Sequence, residues 1–148
     1  MLRELQTETG KVYDATNKAA VAMVVGMGVV KDYANGKVKF PAAVTDAGIY
    51  FVTKEKRAEG IYAGLGEFSD YDDMFMKIKA DEFVKLVPTK GSERYATDQV
   101  TATGLAKGTY LALGTDGKFA KSTDPTKIVY GGTKVIDTHT LHVIEFVD

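Results

Sequence analysis

The stretch Val29-Val30-Lys31-Asp32-Tyr33-Ala34-Asn35-Gly36-Lys37-Val38-Lys39-Phe40 decides the fold class. Two alternating, β-branched runs flank an Asn-Gly pair. Asn-Gly suits a two-residue hairpin turn because both central residues need positive φ, which these residue types tolerate. The same signal returns as Asp116-Gly117, between Tyr110-Leu111-Ala112-Leu113 and Lys118-Phe119-Ala120. Two such hairpins in one chain predict antiparallel sheet.

Outward from these turns, alternation predicts further strands. One covers residues 48–53. Another covers 74–79, with Met74, Met76 and Ile78 on one face. A third covers 82–87 and is stopped by Pro88, and a fourth lies around Ile128-Val129-Tyr130. Residues 138–147 form a long strand with His142, Ile144 and Phe146 on one side and His139, Leu141 and Val143 on the other. Apolar residues on both sides predict that it is covered on two faces, or partly at an interface. Helical signal is thin. Residues 14–25 fit a short helix or a strand equally, because Gly26 and Gly28 follow the Ala-rich run at once; residues 95–100 fit a single turn. The Gly/Lys/Thr-rich segments 54–60, 88–94 and 121–127 read as loops. A faint echo links Gly48-Ile49-Tyr50-Phe51 to Gly108-Thr109-Tyr110-Leu111. The expected fold is all-β or mainly β with little helix: a compact β-barrel or sandwich (residues 19–148, one domain) preceded by an extended N-terminal arm (residues 1–18).

Composition narrows the function. The 148 residues are 45% hydrophobic and 10% aromatic, enough for a real core and against a wholly disordered chain. Nineteen basic residues balance twenty acidic ones, so no global field draws nucleic acid or an anionic membrane. There is no cysteine, hence no disulfide framework, thiolate metal site or Cys nucleophile. The N-terminal residues are polar rather than signal-like, and the longest apolar stretch, residues 19–30, is too short to span a bilayer.

Candidate chemistry is sparse. Ser69, Ser92 and Ser122 are the only serines, and none sits in a Gly-x-Ser-x-Gly elbow. His139 and His142 on a strand point to opposite faces and cannot grip one metal. Glu67, Asp70, Asp72 and Asp73 are the best cation candidates, but Phe75 stands where an EF-hand needs glycine, and a solvated acidic loop is the favoured reading. Gly26-Met27-Gly28 and Gly64-Leu65-Gly66 lack the third glycine of a phosphate-binding fingerprint, with Lys31 and Ser69 in its place. They read as bulges or tight corners. Lys54, Lys56 and Arg57 are interleaved with Glu55 and Glu59, a solvated loop rather than a nucleic-acid patch. No cofactor, no metal and no enzymatic activity are expected.

From residue 76 to residue 121 the order of motifs is distinctive: Glu82-Phe83-Val84-Lys85-Leu86, then Lys90-Gly91-Ser92-Glu93-Arg94-Tyr95-Ala96-Thr97, then Gly104-Leu105-Ala106-Lys107-Gly108-Thr109-Tyr110-Leu111, then Thr115-Asp116-Gly117-Lys118-Phe119. This order resembles the small head-decoration (cement) proteins of tailed bacteriophages, over about a third of the chain. The extra segment at residues 24–73 departs from the shortest of them. The resemblance implies a virion protein made in the host cytoplasm that binds the outer surface of a capsid. Its partners are then the major capsid protein and copies of itself, as a homo-oligomer or an array on the particle, with no nucleic acid and no membrane. Modest affinity per copy suffices in a multivalent array. The contacts are expected on the arm (Leu2, Arg3, Leu5), the loop after residue 53 (Lys54, Lys56, Arg57) and the loop after Pro88 (Lys90, Glu93, Arg94), since loop tips and termini are the parts a core does not need. The alternatives are another phage β-rich assembly subunit (tail tube, connector or head-fibre base) or a ligand- or carbohydrate-binding β-module. The lack of Trp weighs against the last.

Overall fold

The structure, a computed structural model, describes residues 1–54 and 73–148. Its first hairpin is the one around Asn35-Gly36: β4 (Gly28–Asp32) pairs antiparallel with β5 (Lys37–Lys39), Asp32 opposite Lys37. The turn is longer than the Asn-Gly pair alone predicts. Four residues, 33–36, connect the strands, and of these only Gly36 has positive φ (+63°). The Asp32 carboxylate organises it, accepting a bond from Asn35 Nδ2 at 2.8 Å. The second hairpin, β10 (Leu111–Leu113) with β11 (Phe119–Lys121), also departs from a two-residue turn. Gly114 N–H donates to Lys118 O and Gly117 N–H to Gly114 O, which makes a three-residue loop with Gly117 at φ +79°.

β4 and β5 belong to a five-stranded curled sheet with β2 (Lys18–Ala19), β6 (Tyr50–Thr53) and β8 (Lys85–Pro88), in the order β2-β5-β4-β6-β8. Pro88 ends an edge strand, where its missing N–H costs no ladder bond. The chain before β2 bridges the two edges. Asp14 and Leu86 exchange both backbone bonds (3.2 and 2.7 Å), Val84 N–H donates to Asn17 O, and Ala19 N–H donates to Glu82 O. Residues 14–25 therefore contribute strand, not helix: β2, then β3 (Met23–Val24), which pairs with β7 (Lys77–Ile78). The strand predicted over 74–79 is cut short by a helical turn, α1 (Asp73–Met76), so only its last part reaches β7.

A second sheet runs β1-β9-β13-β12, with β1 (Leu2–Gln6), β9 (Arg94–Thr97), β13 (His139–Phe146) and β12 (Ile128–Ile136), all antiparallel. The helical turn predicted from residue 95 is thus strand β9. β12 carries a bulge between Tyr130 and Thr133, at Gly131-Gly132. The β10–β11 hairpin joins this sheet through Tyr110 opposite Val129.

Consecutive residues of β6, β8 and β9 enter two different core clusters. Phe51, Val87 and Tyr95 join Phe119, Ile144 and Phe146 in one; Val52, Leu86 and Ala96 join Val29, Val38 and Leu141 in the other. A strand buried on both faces reads as a continuous apolar run rather than an alternating one, and β13 behaves as expected, with Leu141 and Ile144 both fully buried. Phe51 sits at the centre of the aromatic cluster, its ring 4.7 Å from Tyr95, 5.4 Å from Phe119 and edge-on to Phe146 at 6.0 Å. The Gly26-Met27-Gly28 glycines serve packing: a Cβ on Gly26 (φ +97°) would lie 2.5 Å from Met1 O and from Thr97 Oγ1, and one on Gly28 would lie 2.5 Å from Leu113 Cδ1. Gly48 and Gly108 both adopt positive φ ahead of a strand, but β6 and β10 enter sheets of different size and order, so the echo stays local.

Residues 1–18, expected to stand off as an arm, are built into this body. Met1 is 3% exposed and its ammonium donates to Val25 O and to Asp98 Oδ1. Leu2–Gln6 pairs with β9, Leu2 opposite Thr97. The apolar side of the segment explains this: Leu2 and Leu5 pack on the core, which outweighs the freedom gained by detaching.

Candidate functional site

The loop between β8 and β9 turns tightly and is fixed at both ends. Thr89 Oγ1 donates to Ile49 O at 2.8 Å. Ser92, at φ +69°, donates its N–H to Phe146 O, and Phe146 N–H donates to Glu93 O. Beside it run Gln6, the last residue of β1, and the two residues that follow it, Thr7 and Glu8. Together the two segments wall an open cleft of ≈ 510 Å³, with the carboxylate of Asp148 lying against Gly91.

Glu93 ties the two walls together. Its side chain is 2% exposed, and a buried carboxylate needs partners for its lone pairs. It accepts from Lys11 Nζ (2.8 Å), the Tyr95 hydroxyl (2.7 Å), Lys90 N–H (2.9 Å) and Glu8 N–H (3.3 Å). Lys11 Nζ also bonds the Tyr95 oxygen and lies over the Tyr95 ring. Burial alone would raise the Glu93 pKa, but the bonds from Lys11, Tyr95 and the two backbone amides outweigh it and hold the group below its ordinary value. Burial and the Glu93 charge push Tyr95 the other way, so it stays a neutral donor. Above this buried triad the cleft rim is exposed and charged. Lys90 Nζ meets Glu8 Oε2 at 2.8 Å, the two side chains being 64% and 57% exposed. The cleft offers an ammonium, two carboxylates and turn amides.

The structure sets the loop after Pro88 beside residues 6–8 of the N-terminal segment, and places Lys54 apart from both. Lys90 stands on the rim. Glu93 does not reach the surface: its carboxylate serves the fold, a correction to its reading as a loop-tip contact. Arg94 lies on β9 facing Glu145 of β13, its Nε 3.6 Å from Oε2. Leu2 and Leu5 face inward, and Arg3 reaches Asp137 at the β12–β13 turn (2.8 Å). Lys54 is tied to Lys77 O and Glu82 Oε1, in a different part of the molecule. Lys56 and Arg57 lie outside the described residues, as do Glu67, Asp70 and Asp72. Among the described residues no three acidic or histidine side chains converge as a metal site. His142 Nδ1 pairs with the Tyr130 hydroxyl at 2.8 Å, and burial lowers its pKa; His139 is exposed on the outer part of the hairpin. Sequence reasoning missed Glu8, Lys11, Tyr95 and Asp148. The available signal was Lys90-Gly91-Ser92-Glu93 itself, a tight turn with an acid three residues after a backbone amide that needs a partner. No protein-family model, curated protein or solved structure matches the chain.

Proposed function

We propose that this chain is a virion structural protein that binds the outside of a phage capsid and braces it by bridging neighbouring capsid subunits. Its partners are the major capsid protein and further copies of itself, and it acts without catalysis. One observation supports the reading: the loop after β8, expected as a contact segment, and residues 6–8 of the N-terminal segment wall one charged cleft around Glu8, Lys90 and Asp148, although the N-terminal contacts expected at Leu2, Arg3 and Leu5 lie elsewhere. Rim charges on a firmly held base give register and selectivity to a docking surface at little cost to the fold. A nearly all-β body with strands buried on both faces also suits a brace, because a surface already ordered spends little entropy on attachment.

The test is light scattering on size-exclusion fractions of the protein alone and mixed with purified phage heads. Co-migration with heads at a copy number that is a multiple of the capsomers is the expected result. A monomer that ignores the heads sinks the proposal, and rings or tubes formed by the protein alone would move it to a tail or connector subunit.

A further inference from the structure

Asn-Gly and Asp-Gly pairs are also the sequences most prone to succinimide chemistry, because glycine has no Cβ to hinder its backbone nitrogen and Asn is a thermolabile residue. The two turns of this protein differ in what they allow. At Asp116-Gly117 the Gly117 N–H is committed to Gly114 O at 3.1 Å, Asp116 Oδ1 accepts from Lys118 N–H, and Gly117 packs under the Phe40 ring. At Asn35-Gly36 both residues are exposed. A Cβ built on Gly36 meets nothing within 4 Å. The Gly36 N–H makes no hydrogen bond among the described residues.

We infer that Asn35 is a site of spontaneous, self-catalysed modification: its side-chain amide is lost to give aspartate and isoaspartate. The Gly36 backbone nitrogen attacks Asn35 Cγ. The N–Cγ bond forms, the Cγ–Nδ2 bond breaks, and the former amide proton leaves with the side-chain nitrogen as ammonia. Water then opens the five-membered ring at either carbonyl, so the net change is one water consumed and one ammonia released. The place gives the product consequences. Asn35 Nδ2 is the donor that satisfies Asp32, and the product sets a second carboxylate in its stead. The isoaspartyl form also adds a methylene to the main chain between β4 and β5. It does so beside the bond from Lys18 N–H to Gly36 O and the parallel Lys18–Lys37 pairing that joins β2 to the sheet.

The experiment ages the full chain at mildly alkaline pH and follows peptides by mass spectrometry, with a chromatographic step that separates aspartyl from isoaspartyl forms. Asn17 is the internal reference: it is the only other asparagine and its Nδ2 is bound to Asp14 as that of Asn35 is to Asp32, but it precedes Lys18 rather than a glycine. The expected result is a gain of about one dalton at residue 35, at least about tenfold faster than at Asn17 because only residue 35 precedes a glycine, with both isomers present. In the Asn35→Gln variant the gain at this position disappears. Gain at residue 35 no faster than at Asn17, or gain that persists at the same rate when Gly36→Ala hinders the nucleophile, overturns the inference.

Discussion

At the residue scale, Glu93 is the side chain on which most depends. It is a buried anion whose partners come from three places in the chain, so removing its charge strands Lys11, which is 7% exposed. Breaking one partner of a buried pair costs about 3–5 kcal/mol, whereas replacing both with apolar groups is often near neutral. Glu93→Gln should therefore unfold at clearly lower urea than the parent, and Glu93→Leu with Lys11→Met should recover much of the loss. A double variant no better than the single would show that the loss comes from the Tyr95 hydroxyl and the two backbone amides left unpaired rather than from the stranded Lys11. The same group sets part of the acid stability. Its folded pKa lies below its ordinary value of 4.5, so its contribution is present above that value and fades as pH falls through the folded pKa. Denaturation midpoints taken below pH 5 should fall less steeply in Glu93→Gln than in the parent. Asp14, held low by Lys31 and Thr16, keeps some slope in both.

At the element scale, the turns show what was legible and what was not. The hairpins around Asn35-Gly36 and Asp116-Gly117 are present, because glycine at the left-handed position is a local requirement that sequence displays. Their lengths were not legible, since Asp32 and Gly114 extend each turn through bonds that depend on geometry. By contrast, β12 and β13 are joined by two residues alone, Asp137 and Thr138, at φ +49° and +66°. This tight turn contains no glycine and so gave no signal. The candidate site divides the same way: Lys90 and the turn beside it were readable, whereas Lys11 reaches Glu93 from a distance in sequence that no pattern spans, and Tyr95, two residues on, shows its bond back to Glu93 only in the folded geometry. A β-branched residue at positive φ costs about 1–3 kcal/mol. Thr138→Gly should thus raise the urea midpoint with an unchanged slope, by a net of about 1 kcal/mol after glycine's extra unfolded entropy. Asp137 is best left in place, because its carboxylate meets Arg3. A lowered midpoint would mean that Thr138 makes contacts worth more than its strain.

At the scale of the whole molecule, the N-terminal segment belongs to both the fold and the cleft, and this changes how docking is tested. Deleting residues 1–12 removes β1, the Met1 anchor on Val25 and Asp98, and Lys11 beneath Glu93. Such a truncation should lose most of its cooperative unfolding, so a failure to bind would report on stability rather than contact. The rim charges separate the two. Glu8 and Lys90 are both largely exposed, and an exposed pair of this kind contributes little to stability. Lys90→Glu should leave the thermal midpoint almost where it is. If the cleft is the docking face, the same change should weaken association with phage heads by about tenfold or more and alter its salt dependence, because rim charges govern encounter and register. Normal head binding by a folded Lys90→Glu variant would remove the cleft from the interface and leave the exposed β12–β13 hairpin around Val135 as the face to examine next.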